Sequence, residues 1–289
     1  MSASPIRLGV HVSIAGGIEK ALFRARALGC SAMQIFSRNP RGWTAGSLSS
    51  PAVAAFREAS APGDIDPVVI HTPYLLNLGS GDEVLYRRSV QALGQDLQRS
   101  EQLGVRWVVT HLGSGKGRSQ TFARKRVMKA LKRALEQDSP VSILLENSAG
   151  AGQAIGSSLE EIGEIIEGAG GDPRLGFCFD SCHGYAAGYD FRSGEQTRAL
   201  VRKIDQAIGL KRLALVHLND CWGLLGSHLD RHQHIGKGQI GVEGFKNLLG
   251  HPVFGRIPMI LETPKKGPKD DLKNLSRIRE IFRSLGRDL

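Results

Sequence analysis

The chain has 289 residues, 41% hydrophobic and 23% charged, which supplies a large packed core and excludes a disordered or low-complexity protein. Lys and Arg number 38 against 28 Asp and Glu, and the formal charge of +10 favours an anionic partner such as nucleic acid. Cys30, Cys178, Cys182 and Cys221 form no CxxC pair, which argues against a disulfide framework or a cysteine-type zinc site and fits a reducing cytoplasm. The start, MSASPIRLGV, has no secretory pattern, and no apolar run approaches the roughly 20 residues of a membrane helix, so a cytoplasmic monomer is expected.

Eight short apolar runs alternate with segments of helical spacing, the pattern of repeated βα units over a parallel sheet. In chain order they are Arg7–Ser13, Ala32–Arg38, Pro67–Thr72, Trp107–Gly113, Val141–Ser148, Leu175–Cys182, Arg212–Asp220 and Pro258–Pro264. Asp82–Gly104 sets Val84, Leu85, Val90, Leu93, Leu97 and Leu103 near one helix face; Thr121–Gln137 does the same with Phe122, Val127, Met128, Leu131 and Leu135. Gly29, Gly104 and Gly209 read as helix C-terminal stops. Eight strands and eight helices in this length predict one (β/α)8 TIM-barrel domain over residues 1–289, with a doubly wound open sheet as the competing arrangement. Asp220–Gly241 is long and turn-rich for a βα loop, which suggests a functional insertion.

Six runs end in a residue able to bind a metal: His11, His71, His111, Glu146, Asp180 and His217, and Glu262 closes a seventh. A parallel barrel gathers its C-terminal strand ends on one face, so these residues would share one pocket. Carboxylates and imidazoles buried together without a cation leave like charges and unpaired polar groups, a cost that a metal relieves. Asp180 and His183, three apart where a strand turns into its loop, and Asp230 and His232 on the long loop enlarge the set. Such ligands suit Zn²⁺ and also Mn²⁺ or Fe²⁺.

Other signals carry less. GKGQIG at Gly236–Gly241 follows a polar loop instead of a strand, so it reads as a tight turn and not as a dinucleotide fingerprint. Gly113–Ser119 lacks Walker spacing and reads as a flexible basic loop. His228, His234 and His251 are expected to be solvated loop histidines, and Cys182, lacking a partner cysteine, a small buried residue. Arg124–Arg133 reads as a solvated outer helix face.

From Leu8 to Thr263 the chain resembles the endonuclease IV family of apurinic/apyrimidinic endonucleases. The resemblance is carried by GVHVSIAGG (Gly9–Gly17), FSRNPRGW (Phe36–Trp43), HTPYLLNLGS (His71–Ser80), LLENSAGAG (Leu144–Gly152), FDSCHGYAAGYD (Phe179–Asp190), HLND (His217–Asp220), GSHLDRHQHIGKGQIG (Gly226–Gly241) and LET (Leu261–Thr263). It implies a trinuclear zinc cluster. His71 and His111 would hold the first ion, with Glu146 bridging to the second. Asp180, His217 and Glu262 would complete the second, and His183, Asp230 and His232 would hold the third. Glu146 and Glu262 would position and help deprotonate a water.

Arg41, Tyr74 and Leu75 match the residues that such enzymes insert into DNA. The implied reaction is hydrolysis 5′ to an abasic site in duplex DNA, leaving a 3′-hydroxyl and a 5′-deoxyribose phosphate. Leu112, Cys221 and Trp222 depart from the usual pattern. The alternatives are a metal-dependent sugar isomerase or epimerase on the same barrel and a metal-stabilised DNA-binding protein without catalysis.

Overall fold

The computed structural model describes residues 6–44 and 46–287. Eight strands form one parallel sheet: β1 Leu8–His11, β2 Ala32–Phe36, β3 Val68–His71, β4 Trp107–Thr110, β5 Ser142–Glu146, β6 Leu175–Asp180, β7 Leu213–His217 and β10 Met259–Leu261. They close into a barrel in the order β1-β10-β7-β6-β5-β4-β3-β2. Each falls within one of the eight apolar runs, and the closed order excludes the open sheet. Between them run α1 Lys20–Ala27, α2 Ser50–Ser60, α3 Glu83–Leu103, α4 Gln120–Leu135, α5 Leu159–Gly168, α7 Gly194–Ala207, α8 Gly241–Gly250 and α9 Asp270–Ser284. Two additions to the expected barrel lie at one end of it: the short helix α6 Ser181–Ala186, and an antiparallel pair, β8 Asp220–Cys221 with β9 His232–Gln233.

Local chemistry sets several boundaries. Asp82 accepts hydrogen bonds from the amides of Val84 and Leu85 at the start of α3, and Ser49, Ser119, Ser158 and Ser193 cap α2, α4, α5 and α7. Gly29, Gly104 and Gly209 take left-handed φ values of 68°, 74° and 87°, as the reading of helix stops requires. The faces of α3 and α4 differ from expectation at their first turns. Val84 and Phe122 are exposed, Phe122 lying beneath the guanidinium groups of Arg118 and Arg126 at 5.8 and 5.7 Å, which cover its ring in place of the core.

Side chains alternate along a strand, so every second residue enters the barrel. One inner cluster comprises Ala32, Val69, Val109, Leu144, Cys178, Leu215 and Ile260. Gly9 takes part on β1, where an added Cβ would lie 1.8 Å from the backbone oxygen of Ala32. Gly9→Ala is therefore expected to lower stability by about 3 kcal/mol or more, read from a urea or thermal melt; an unchanged midpoint would refute the tight approach.

Two residues further along each strand lies the mouth. Its inward positions are His11, Gln34, His71, His111, Glu146, Asp180, His217 and Glu262. Helix α6 and the β8–β9 pair both serve this end. Among the described residues no helix is long and apolar enough to cross a membrane.

Candidate metal centre

Four groups of potential ligand atoms, each within 4.8 Å of one another, occupy the mouth. They are His71, His111 and Glu146; Glu146, Asp180, His217 and Glu262; His183, Asp230 and His232; and Asp180, Cys182 and His232. All nine side chains singled out from the family motifs fall in these overlapping groups. His11, the remaining metal-capable strand end, is in none; its ring packs on Phe36 at 4.3 Å between centroids, and Nδ1 lies 3.7 Å from Glu262 Oε1.

Glu146, fully buried at the end of β5, is the hub. Its Oε2 lies 3.0 Å from His71 Nε2 and 3.4 Å from His111 Nε2. Its Oε1 lies 3.0 Å from His217 Nδ1 and 3.4 Å from His183 Nδ1. Burial alone would raise this carboxyl, but the imidazoles of His111 and His217 outweigh it and hold the group well below the usual carboxylate range. Glu262 behaves likewise, burial being overcome chiefly by the charge of the His217 imidazole. Conversely, Asp180 and Asp230 override the burial of His183 and lift it well above an ordinary imidazole. The pocket thus stabilises positive charge between its carboxylates.

The imidazoles are oriented from behind. His71 Nδ1 donates to the Thr72 carbonyl at 2.7 Å, His183 Nδ1 to that of Asn147 at 2.9 Å and His232 Nδ1 to that of Glu262 at 3.1 Å. Each leaves Nε2 facing the pocket as a lone-pair donor, the arrangement that metal-binding histidines adopt. Asn147 and Asn219 position the acids. Asn147 accepts from the Asp180 amide at 2.7 Å and donates to its carbonyl at 3.0 Å. Asn219 donates to Asp180 Oδ2 and accepts from the Glu262 amide, both at 2.7 Å.

The strand-to-loop turn expected after Asp180 is instead helix α6, with Asp180 as its cap, accepting from the His183 amide at 2.7 Å. This one residue starts the helix that presents His183. Asp230 is more than half exposed on the loop before β9, with Oδ1 3.0 Å from His183 Nε2. His232 Nε2 lies 3.4 Å from His183 Nε2 and 3.7 Å from Asp180 Oδ2.

The GKGQIG turn does cradle an anion, but an internal one. The buried Asp220 carboxylate accepts from the amides of Cys221 at 2.8 Å, Gly236 at 2.9 Å, Gly238 and Ile240 at 3.0 Å, and Gly241 at 3.4 Å. A Cβ on Gly238 would meet Asp220 Oδ1 at 2.5 Å, so only glycine allows this approach. The cradle fixes the root of the loop that carries Asp230 and His232.

Cys182 is buried, as expected, and it has a neighbour the spacing did not show: the buried thiol of Cys221, which together with burial pushes its pKa far up and keeps it a thiol. His234 and His251 are half-buried, not solvated, and Asn274 donates to His234 Nδ1 at 3.0 Å. His228 is exposed, though its ring donates to the Ala149 carbonyl at 2.9 Å. Leu112 is buried, while Trp222 is half exposed, with Arg231 stacked over its ring at 4.9 Å.

A cavity of 1130 Å³ opens over the centre between His11, Phe36, His71, Tyr74, His183 and Glu262. Tyr74, 70% exposed, stands on its rim against Phe36 at 5.1 Å, beside the half-buried Leu75. Arg41 is exposed on the neighbouring loop, its amide bonded to Asn39 Oδ1 at 3.0 Å. That loop is anchored by a buried ion pair in which Arg38 donates to both Asp96 oxygens, from Nε at 3.1 Å and from Nη2 at 3.0 Å.

Residues 22–285 match the family model of xylose isomerase-like TIM barrels. The chain is 46% identical over 278 residues to a probable endonuclease 4 of Methanoculleus marisnigri, covering 96% of this chain and 99% of the relative. A probable endonuclease 4 of Halothermothrix orenii is 40% identical, covering 94% and 99%. The crystal structure of endonuclease IV from Thermus thermophilus superposes with a TM-score of 0.85 at 40% identity, covering 96% of this chain and 99% of that one. A D-tagatose 3-epimerase-like protein, 21% identical with a TM-score of 0.75, shares the fold. With relatives at this identity over nearly their whole length, the chain belongs to the endonuclease IV family.

Proposed function

We propose that this protein hydrolyses the DNA phosphodiester on the 5′ side of an abasic site, using three zinc ions. The observation that carries the reading is the gathering of nine imidazole and carboxylate side chains able to bind a metal at one barrel mouth, in a chain 40% identical to an endonuclease IV across its length.

The donor set fits such ions. With the Nδ1 protons of His71 and His183 committed to carbonyls, Nε2 faces Glu146 or Asp230 at 3.0 Å, a repulsive contact unless a proton or cation lies between. His71, His111 and Glu146 would hold one ion; Glu146, Asp180, His217 and Glu262 a second; His183, Asp230 and His232 a third. The mixed nitrogen and oxygen ligands suit Zn²⁺, with Mn²⁺ or Fe²⁺ able to replace it. When bound, the cations supply Lewis acidity, lowering the pKa of the attacking water and offsetting charge that grows on the phosphate.

The chain's own groups do the rest. Glu262, partly open to the mouth, and the hub Glu146 orient the attacking water and take its proton. The water oxygen bonds to phosphorus, the bond to O3′ breaks and O3′ takes a proton, leaving a 3′-hydroxyl and a 5′-deoxyribose phosphate. Tyr74 and Leu75 fill the gap in the stack while Arg41 meets the displaced backbone. A nucleotide without a base has lost its stacking and pairing, so it is extruded at lower cost, and this difference selects the lesion.

The test is a duplex carrying one abasic site, incubated with metal-replete protein beside an intact control. Cleavage 5′ to the lesion leaving a 3′-hydroxyl, with about three metal ions per chain, is the expected result; an uncut duplex would overturn the reading. In the Tyr74→Ala, Leu75→Ala double variant, preference for abasic over intact duplex is expected to fall about 30-fold, a wedge contribution of about 2 kcal/mol, with metal content unchanged. Retained preference would remove the wedge role.

A further inference from the structure

We propose that Gln34 is a positioning residue for the acidic half of this centre, fixing the tautomer of His217 and the free oxygen of Glu262. The inference rests on the metal-site reading above. Of the eight strands, only β2 brings neither an imidazole nor a carboxylate to the mouth; it brings Gln34, fully buried. A neutral amide there costs free energy unless its acceptor and both donors are satisfied, and all are.

Gln34 Oε1 accepts from His217 Nε2 at 2.8 Å. Its Nε2 donates to Glu262 Oε1 and to His11 Nδ1, the latter at 3.0 Å. Turning the amide over would set its oxygen against the Glu262 carboxylate, so the two acceptors on one side fix its orientation.

An amide oxygen only accepts, so the His217 proton must sit on Nε2. Its Nδ1 lone pair then faces Glu146 Oε1 at 3.0 Å and Glu262 Oε2 at 3.4 Å. This is the reverse of His71, His183 and His232, whose protons are drawn to Nδ1 by backbone carbonyls. Gln34 supplies for His217 the acceptor that the backbone supplies for the others. With Oε1 of Glu262 engaged by the same amide, Oε2 is left toward the site.

The test compares wild type with Gln34→Met, which keeps the length and loses the hydrogen bonds. Both are dialysed against zinc and measured for zinc per chain, release to a competing chelator, and kcat and KM on abasic duplex. A cooperative melt, zinc affinity lowered about 10- to 100-fold and a reduced kcat at unchanged KM are expected. Wild-type affinity and kcat in a folded Gln34→Met would overturn the proposal.

If the variant does not fold, imidazole ¹H–¹⁵N correlations of the zinc-loaded wild type decide. A His217 proton on Nε2 supports the assignment, and one on Nδ1 refutes it. A wild-type protein that takes up no zinc would instead overturn the metal-site reading itself.

Discussion

Glu146→Gln is expected to lower kcat on abasic duplex by about 10³-fold or more, a loss of about 4 kcal/mol of transition-state stabilisation, while the barrel remains folded. Each carboxylate oxygen faces two imidazole nitrogens, Oε2 those of His71 and His111 and Oε1 those of His217 and His183. The amide keeps the volume, so the packing around β5 survives. It removes the charge that holds the surrounding histidines and turns one of the two oxygens into a donor aimed at ring nitrogens already facing inward. Metal content should fall together with kcat, because the residue touches both the first and the second ligand group. Turnover within a factor of about three of wild type, with full metal content, would show that Glu146 is not the hub.

The second large effect is on stability. Asp220→Ala leaves the amides of Cys221, Gly236, Gly238, Ile240 and Gly241 without their common acceptor, in a turn where Cys221 and Ile240 are buried and the three glycines half-buried. At about 1–3 kcal/mol per unsatisfied buried group, with some amides regaining water, the expected loss is about 4 kcal/mol or more. A urea melt measures it. Because the turn roots the loop carrying Asp230 and His232, one metal ion per chain should be lost at concentrations that saturate wild type. An unchanged midpoint and full metal content would mean that the loop is held by its other contacts.

The strands were legible because a parallel barrel buries both faces of each, giving apolar runs that stand out from amphipathic helices. The metal-capable residues were legible because their residue types recur at strand ends, where the topology brings them together. Gln34 escaped because an amide neither titrates nor ranks as a metal ligand; its place follows only from the inward alternation that puts it two residues beyond Ala32. Asn147 and Asn219 stood in the conspicuous motifs, but their roles depend on distances across β5, β6 and β10 that no local pattern encodes. The same holds for Cys182 and Cys221, brought together only when α6 packs on β8. Phe122 shows the opposite error: a good apolar spacing continued into the first turn of α4, where arginines cover the ring instead of the core.

The apolar layer formed by Ala32, Val69, Val109, Leu144, Cys178, Leu215 and Ile260 makes the barrel a vessel with a sealed bottom. Apart from the buried Cys178 thiol, that layer presents only aliphatic side chains, a poor foothold for water or ions, so traffic to the centre is one-ended. Substrate, leaving strand and released proton all pass by the mouth, where both cavities beside His111 and His183 open, and a duplex lying across it is both the reactant and the lid.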